Sequence, residues 1–220
     1  MSAGFVWDEN RPYSNPANSE QAMDDAADPY RHVLSQPMES KPGERYNYCG
    51  CSAALLGAIL KKLTGKPFEV LTEEVLLAPL GIEGPAWDAR RGRFANGDFM
   101  PHAGFRLRPR DLAKIGQLVL DGGRWQGRQI VSPEWIAQSI TPQINGEGLF
   151  FYGYQWWLGR SLVARREVDW AGGFGLGGQR LYIVPEKRLV VTVNVGLYDQ
   201  ALQSAVAALP LRYALTAIKN

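Results

Sequence analysis

The chain is 220 residues long, 45% apolar and 21% charged, with a formal net charge of +2 at neutral pH. Such a composition belongs to a globular protein long enough to bury a substantial core. Near-neutral charge with no basic run argues against a nucleic-acid partner, and no run of 18 apolar residues offers a membrane-spanning helix. Met1–Glu9 lacks the basic start and apolar middle of a signal peptide, and the compartment stays open.

Residues 1–44 are rich in Pro, Asn, Asp and Ser and read as a long surface loop, with short helical pieces around Ser19–Ala27 and Pro29–Leu34. Ser52–Leu63 reads as a helix whose stripe Leu55, Leu56, Ile59, Leu60 and Leu63 should face the core, with Lys61 and Lys62 outward and Gly65 ending it. Pro67 can open a further helix through Leu76, and residues 82–106 read as irregular chain with short strands. A helix over Asp111–Leu120 stops at Gly122-Gly123, a tight turn follows at Gly123–Gly127, and Ser132-Pro133-Glu134 starts another helix.

The period then changes. Tyr152–Leu158, Leu162–Trp170, Arg180–Val184 and Leu189–Val195 read as strands joined by short turns, hence antiparallel neighbours. Residues 199–217 read as helix interrupted at Pro210. Helices first and a meander afterwards predict an α+β fold. It comprises a loop-rich segment 1–44, a mainly helical region 45–145, and a sheet with a C-terminal helix over 146–220.

Cys49 and Cys51 are too close for redox or zinc C-x-x-C spacing, and a bond between neighbours of alternating direction would be strained. Two buried thiols are expected, with a reactive Cys49 as the lesser alternative. His32 and His102 have no metal spacing and no evident carboxylate cluster, so no metal is expected. Trp87, Trp125, Trp135, Trp156, Trp157 and Trp170 read as core and cleft wall.

Two segments carry the chemistry. Arg45-Tyr-Asn-Tyr48-Cys-Gly50 stands just before the helix at Ser52. The glycine-dense Trp170-Ala-Gly-Gly-Phe-Gly-Leu-Gly-Gly178 runs into an apolar strand ending at Pro185. With Thr64-Gly65, Pro79-Leu-Gly81, Arg110-Asp-Leu-Ala113, Gly122-Gly-Arg-Trp125, Ser132-Pro-Glu-Trp135 and Tyr152-Gly-Tyr-Gln-Trp-Trp157, they resemble, in order, the landmarks of the penicillin-recognising serine hydrolases. The likeness is to the class C β-lactamase and esterase branch and covers about residues 4–205. It implies a β-lactamase/transpeptidase-like single domain, an antiparallel sheet flanked by helices plus a helical region, here N-terminally incomplete.

The resemblance also implies roles. Tyr48 matches the tyrosine that moves protons between nucleophile and leaving group. Gly50 stands where an Asn would contact substrate. Trp170, Ala171 and Gly172 match the strand motif that begins with Lys in β-lactamases, and Gly173 would donate a backbone N–H to an oxyanion hole. A register on Gly173-Phe174-Gly175 is the alternative, and glycines that merely permit tight strand entry are the plainer one. Trp156, Trp157 and Trp170 would suit binding.

The family nucleophile, Ser-x-x-Lys, is absent: no Ser in the chain has Lys three residues later. Tyr48 therefore lacks the cation that would lower its phenol. The expected substrate is a small ester or amide, without cofactor, and this chain alone should be inactive. A non-catalytic ligand- or partner-binding relative is the alternative, and self-association through uncovered core is open.

Overall fold

The computed structural model describes residues 1–84, 87–88, 92–198 and 202–218. The chain divides into two compact units, Met1–Arg106 and Leu107–Asn220, so the stretch 45–145 is shared between them.

The first unit holds α1 (Ser19–Asp24), α2 (Pro29–Leu34), α3 (Gly50–Thr64) and α4 (Phe68–Thr72), the last continuing into a π-helical turn at Glu73–Leu77. Local chemistry sets the ends. The side chain of Asn18 accepts from the Gln21 amide, and that of Asp28 from the Arg31 amide ahead of Pro29. Gly65 ends α3 at φ 69°, in the left-handed region. The core is Trp7, Met23, Val33, Cys49, Cys51, Ala54, Phe94 and Met100.

Residues 1–44 carry α1 and α2 where the short helical pieces are expected, but the segment also supplies core side chains. Trp7, Met23 and Val33 come from that segment, and Met23 and Val33 are fully buried. One or two apolar side chains per short helix are too few to show a period. The apolar stripe of α3 stands largely uncovered, and its buried face is a second one, built of small residues. Gly50, Cys51, Ala54 and Gly57 are buried, while Leu56, Ile59 and Leu63 are 49, 51 and 78% exposed. Small residues win that face because neighbours come close: the ring of Pro101 occupies the space a side chain at Gly57 would need.

Cys49 and Cys51 are joined as a disulfide rather than kept as two thiols. Cys49 is extended (φ −148°, ψ 106°) and Cys51 lies in the first turn of α3. That change of backbone direction sets the two Cα atoms 5.1 Å apart, inside the usual range for a bridge. The expected alternation fails because the chain is not extended across both residues.

The second unit begins with α5 (Pro109–Leu120), a ribbon of β1 (Arg124–Trp125) and β2 (Arg128–Gln129), and α6 (Pro133–Ser139). A six-stranded antiparallel sheet follows in chain order: β3 (Ile144–Asn145), β4 (Phe151–Tyr152), β5 (Trp157–Val163), β6 (Arg166–Gly175), β7 (Gln179–Val184) and β8 (Leu189–Val193). Helix α7 (Gln203–Ala217) closes the chain, and residues 199–201 of the expected helix lie outside the described residues.

Three boundaries depart from the sequence reading. The expected strand over 152–158 breaks at Gly153, whose amide bonds the Trp156 carbonyl at 2.9 Å. The expected strand over 162–170 contains a hairpin turn: Ala164 and Arg165 both take positive φ, 48° and 64°, without the usual Gly or Asn to announce it. Helix α7 runs through Pro210 because Ala207, Leu211 and Leu215 anchor both sides of it in the core.

Alternation along the strands splits the sheet into two faces. Val168, Trp170, Tyr182 and Val184 pack with Leu211 and Leu215 of α7. Leu181 and Ile183 pack with Val119 of α5 and Ile136 of α6. Gly116 lets α5 sit close, since a Cβ there would lie 2.6 Å from Val190 Cγ1. Among the described residues no helix is long and apolar enough to cross a membrane.

Candidate functional site

Tyr48 sits two residues ahead of α3, and Gly50 is the first helical residue. The Gly50 amide donates to Glu9 Oε1 at 2.5 Å, and the same oxygen accepts from Trp7 Nε1 at 2.5 Å. A carboxylate there meets the positive end of a 15-residue helix. It also fills the space of a side chain at Gly50, where a Cβ would lie 3.2 Å from His102 Cδ2 and 3.3 Å from Glu9 Oε1. The absence of an Asn at position 50 is thus matched by the crowding around it.

Behind Gly50 lies a set of buried titratable groups. Glu20 is 8% exposed and hydrogen-bonds Glu9; its Oε2 accepts from Tyr13 Oη at 3.2 Å. His102 Nε2 lies 3.5 Å from Glu20 Oε1 and 3.3 Å from Asp24 Oδ1. Burial, and then the charges of Glu9 and Asp24, push the Glu20 carboxyl up to about 7. Burial likewise raises Glu9, against the pull of the Gly50 and Trp7 donors. The expectation that no carboxylates accompany His102 is corrected here. Glu20 and Asp24 stand one helical turn apart on α1, and the fold brings His102 to them. Sequence alone offered only their i,i+4 spacing. For Glu9, Tyr13 and His102 it offered no local signal.

Tyr48 keeps 38% of its surface exposed. Partial burial, then the charges of Glu9 and Glu20, push its phenol up to about 12. The electrostatic surroundings are anionic, the reverse of what an activated tyrosine needs. A spectrophotometric titration of the parent against Tyr48→Phe is expected to show no ionisation of this phenol below about pH 10.5. A difference band rising below about pH 9 would reveal a cation beside it.

In the second unit the glycine-dense strand is β6. Ala171 is 3% exposed, between Leu158 of β5 and Ile183 of β7. Pairing with β5 ends at Gly172, opposite Trp157, so beyond that point β6 has β7 alone as partner. A Cβ at Gly172 would press the Leu181 carbonyl oxygen at 2.9 Å, so glycine there serves close packing. At Gly173 a Cβ would meet only Leu181 Cβ at 4.0 Å, so packing does not demand glycine. Phe174, the centre of the alternative register, stacks on Trp157 with ring centroids 5.5 Å apart.

The tryptophans divide between the two faces. Trp170 is 7% exposed and packs with the α7 side, whereas Trp156 packs with the α5 side. Trp156 and Trp170 therefore do not flank one cleft. Trp157 and Trp170 do share a cavity of about 910 Å³ with Phe174, Tyr182 and α7.

The tyrosine segment ahead of α3 and the glycine-rich strand, on an α+β frame, define a penicillin-recognising hydrolase class of fold. The chain belongs to the beta-lactamase family, whose model matches residues 2–199. It is 27% identical over 208 residues to a 6-aminohexanoate-dimer hydrolase of Paenarthrobacter ureafaciens, covering 84% of this chain and 50% of that protein. It therefore spans about half the length of the curated relative it matches. Among solved structures, the D-amino acid amidase of Ochrobactrum anthropi SV3 superposes with a TM-score of 0.64 at 18% identity, over 99% of this chain and 75% of that one. A penicillin-binding protein from Bacillus halodurans gives 0.63 at 16% identity, over 96% and 70%. These two likenesses bear on the fold.

Proposed function

We propose that this chain carries part of the machinery of a serine hydrolase that cleaves small esters or amides through an acyl-enzyme. The observation that carries the reading is the family match across residues 2–199, within which Tyr48 stands directly ahead of α3. In the intact reaction a serine attacks the carbonyl and a lysine with Tyr48 takes and returns its proton. The Gly173 N–H steadies the oxyanion. Tyr48 performs this role only when a lysine offsets Glu9 and Glu20, the charges that raise its phenol here. The name of the 6-aminohexanoate-dimer hydrolase favours an unstrained amide over a β-lactam. So does Trp170, a neutral core side chain where a lysine would orient a drug carboxylate.

A form of this protein carrying a Ser-x-x-Lys segment ahead of residue 1 is expected to turn over p-nitrophenyl butyrate or a neutral amide well and nitrocefin poorly. Nitrocefin turnover equal to that of the ester would contradict the substrate class. A second reading, a non-catalytic binding relative, draws support from the anionic surroundings of Tyr48 and from Gly50. It predicts no turnover of either substrate by that form.

A further inference from the structure

We propose that Glu20, Asp24 and His102 form a binding site for a first-row divalent transition cation, with Zn²⁺ the best match. Their ligand atoms all lie within 4.8 Å of one another. His102 Nε2 stands 3.3 Å from Asp24 Oδ1 and 3.5 Å from Glu20 Oε1. Ligands held about 2.0–2.2 Å from a tetrahedral zinc ion stand about 3.4 Å from each other. The two His102 spacings thus match edges of one coordination shell.

An independent observation points to a ligand. The His102 side chain is 4% exposed, yet neither ring nitrogen has a hydrogen-bond partner. Asp24 Oδ1 is buried and makes no hydrogen bond, although it lies 3.3 Å from His102 Nε2. Buried polar atoms are normally satisfied, and two orphans, His102 Nε2 and Asp24 Oδ1, stand 3.3 Å apart with room for a shared partner. Charge asks for the same. The carboxylates of Glu9, Glu20 and Asp24 gather around His102. Tyr13 Oη donates to Glu20 Oε2 at 3.2 Å, leaving Glu20 Oε1 on the His102 side. The Ala95 amide donates to the Asp24 carbonyl and fixes the end of α1. One imidazole with two carboxylates suits zinc, whereas magnesium and calcium favour oxygen ligands throughout.

The test is a titration of chelator-stripped 1–220 with Zn²⁺ by calorimetry, and with Co²⁺ by visible absorption. One Zn²⁺ per chain is expected to bind, with a melting temperature that rises as zinc is added and no response to millimolar Mg²⁺. His102→Gln should weaken binding by more than the about 10–100-fold that losing an outer partner of a ligand costs. His32→Ala, on α2 and outside the cluster, should leave it unchanged. If His102→Gln does not fold by circular dichroism, Asp24→Asn is read by the same criterion. A folded parent that takes up no Zn²⁺ at 100 µM overturns the proposal. So does a folded His102→Gln or Asp24→Asn that binds as tightly as the parent.

Discussion

Purified 1–220 is expected to release no burst of p-nitrophenol from p-nitrophenyl acetate and to take no label from a serine-directed phosphonate. Acyl-enzyme formation needs a hydroxyl with a base in hydrogen-bond reach. No serine here is followed by lysine at the third position. Several serine hydroxyls are engaged in other work: Ser132 caps α6, Ser139 donates to the Ile136 carbonyl, Ser161 accepts from Trp170, and Ser204 accepts from Arg180. Ser52, four residues past Tyr48, is buried with its hydroxyl unpartnered. Each lost contribution of a positioned proton acceptor is worth about 10²–10⁴-fold, so absence of both nucleophile and base leaves no measurable burst. Stoichiometric labelling at any serine, Ser52 above all, would relocate the active centre.

Trp170→Ala is expected to cost about 3–5 kcal/mol of stability, the usual loss for a buried large aromatic. Its ring packs against Tyr182, Phe150 and Phe174 with centroids 5.2, 5.8 and 5.8 Å away, and Nε1 donates to Ser161 Oγ at 3.2 Å. Across the strand pair, the ring covers Gly159, which has no room for a side chain beneath it. With a typical net stability of about 5–15 kcal/mol, a loss of this size should move a urea midpoint far down. A loss below about 1 kcal/mol would mean that Trp170 faces solvent or substrate rather than the core.

What the sequence revealed and what it concealed follow from range. The caps at Ser132 and Gly65 and the start of α2 at Pro29 are local chemistry, and each stands where the residues point. The meander was legible because strand alternation is local too. The Ala164-Arg165 turn was not, because neither residue advertises positive φ. The small-residue face of α3 was missed because its residues are weakly apolar, and close approach by Pro101 leaves no room for a side chain at Gly57. Tyr48 and the glycine-rich strand could be picked out as motifs. The carboxylates behind Tyr48 could not: Glu9, Glu20 and His102 come from three separate segments that only the fold assembles.

The most direct test of the account is the turnover number of Tyr48→Phe in the form that carries a Ser-x-x-Lys segment ahead of residue 1. If Tyr48 relays protons, its loss should lower kcat for an ester or amide by about 10²–10⁴-fold with the fold intact. A Tyr48→Phe enzyme that keeps its parent's kcat would show that the tyrosine only shapes the entry to α3, and that proton transfer belongs to other residues.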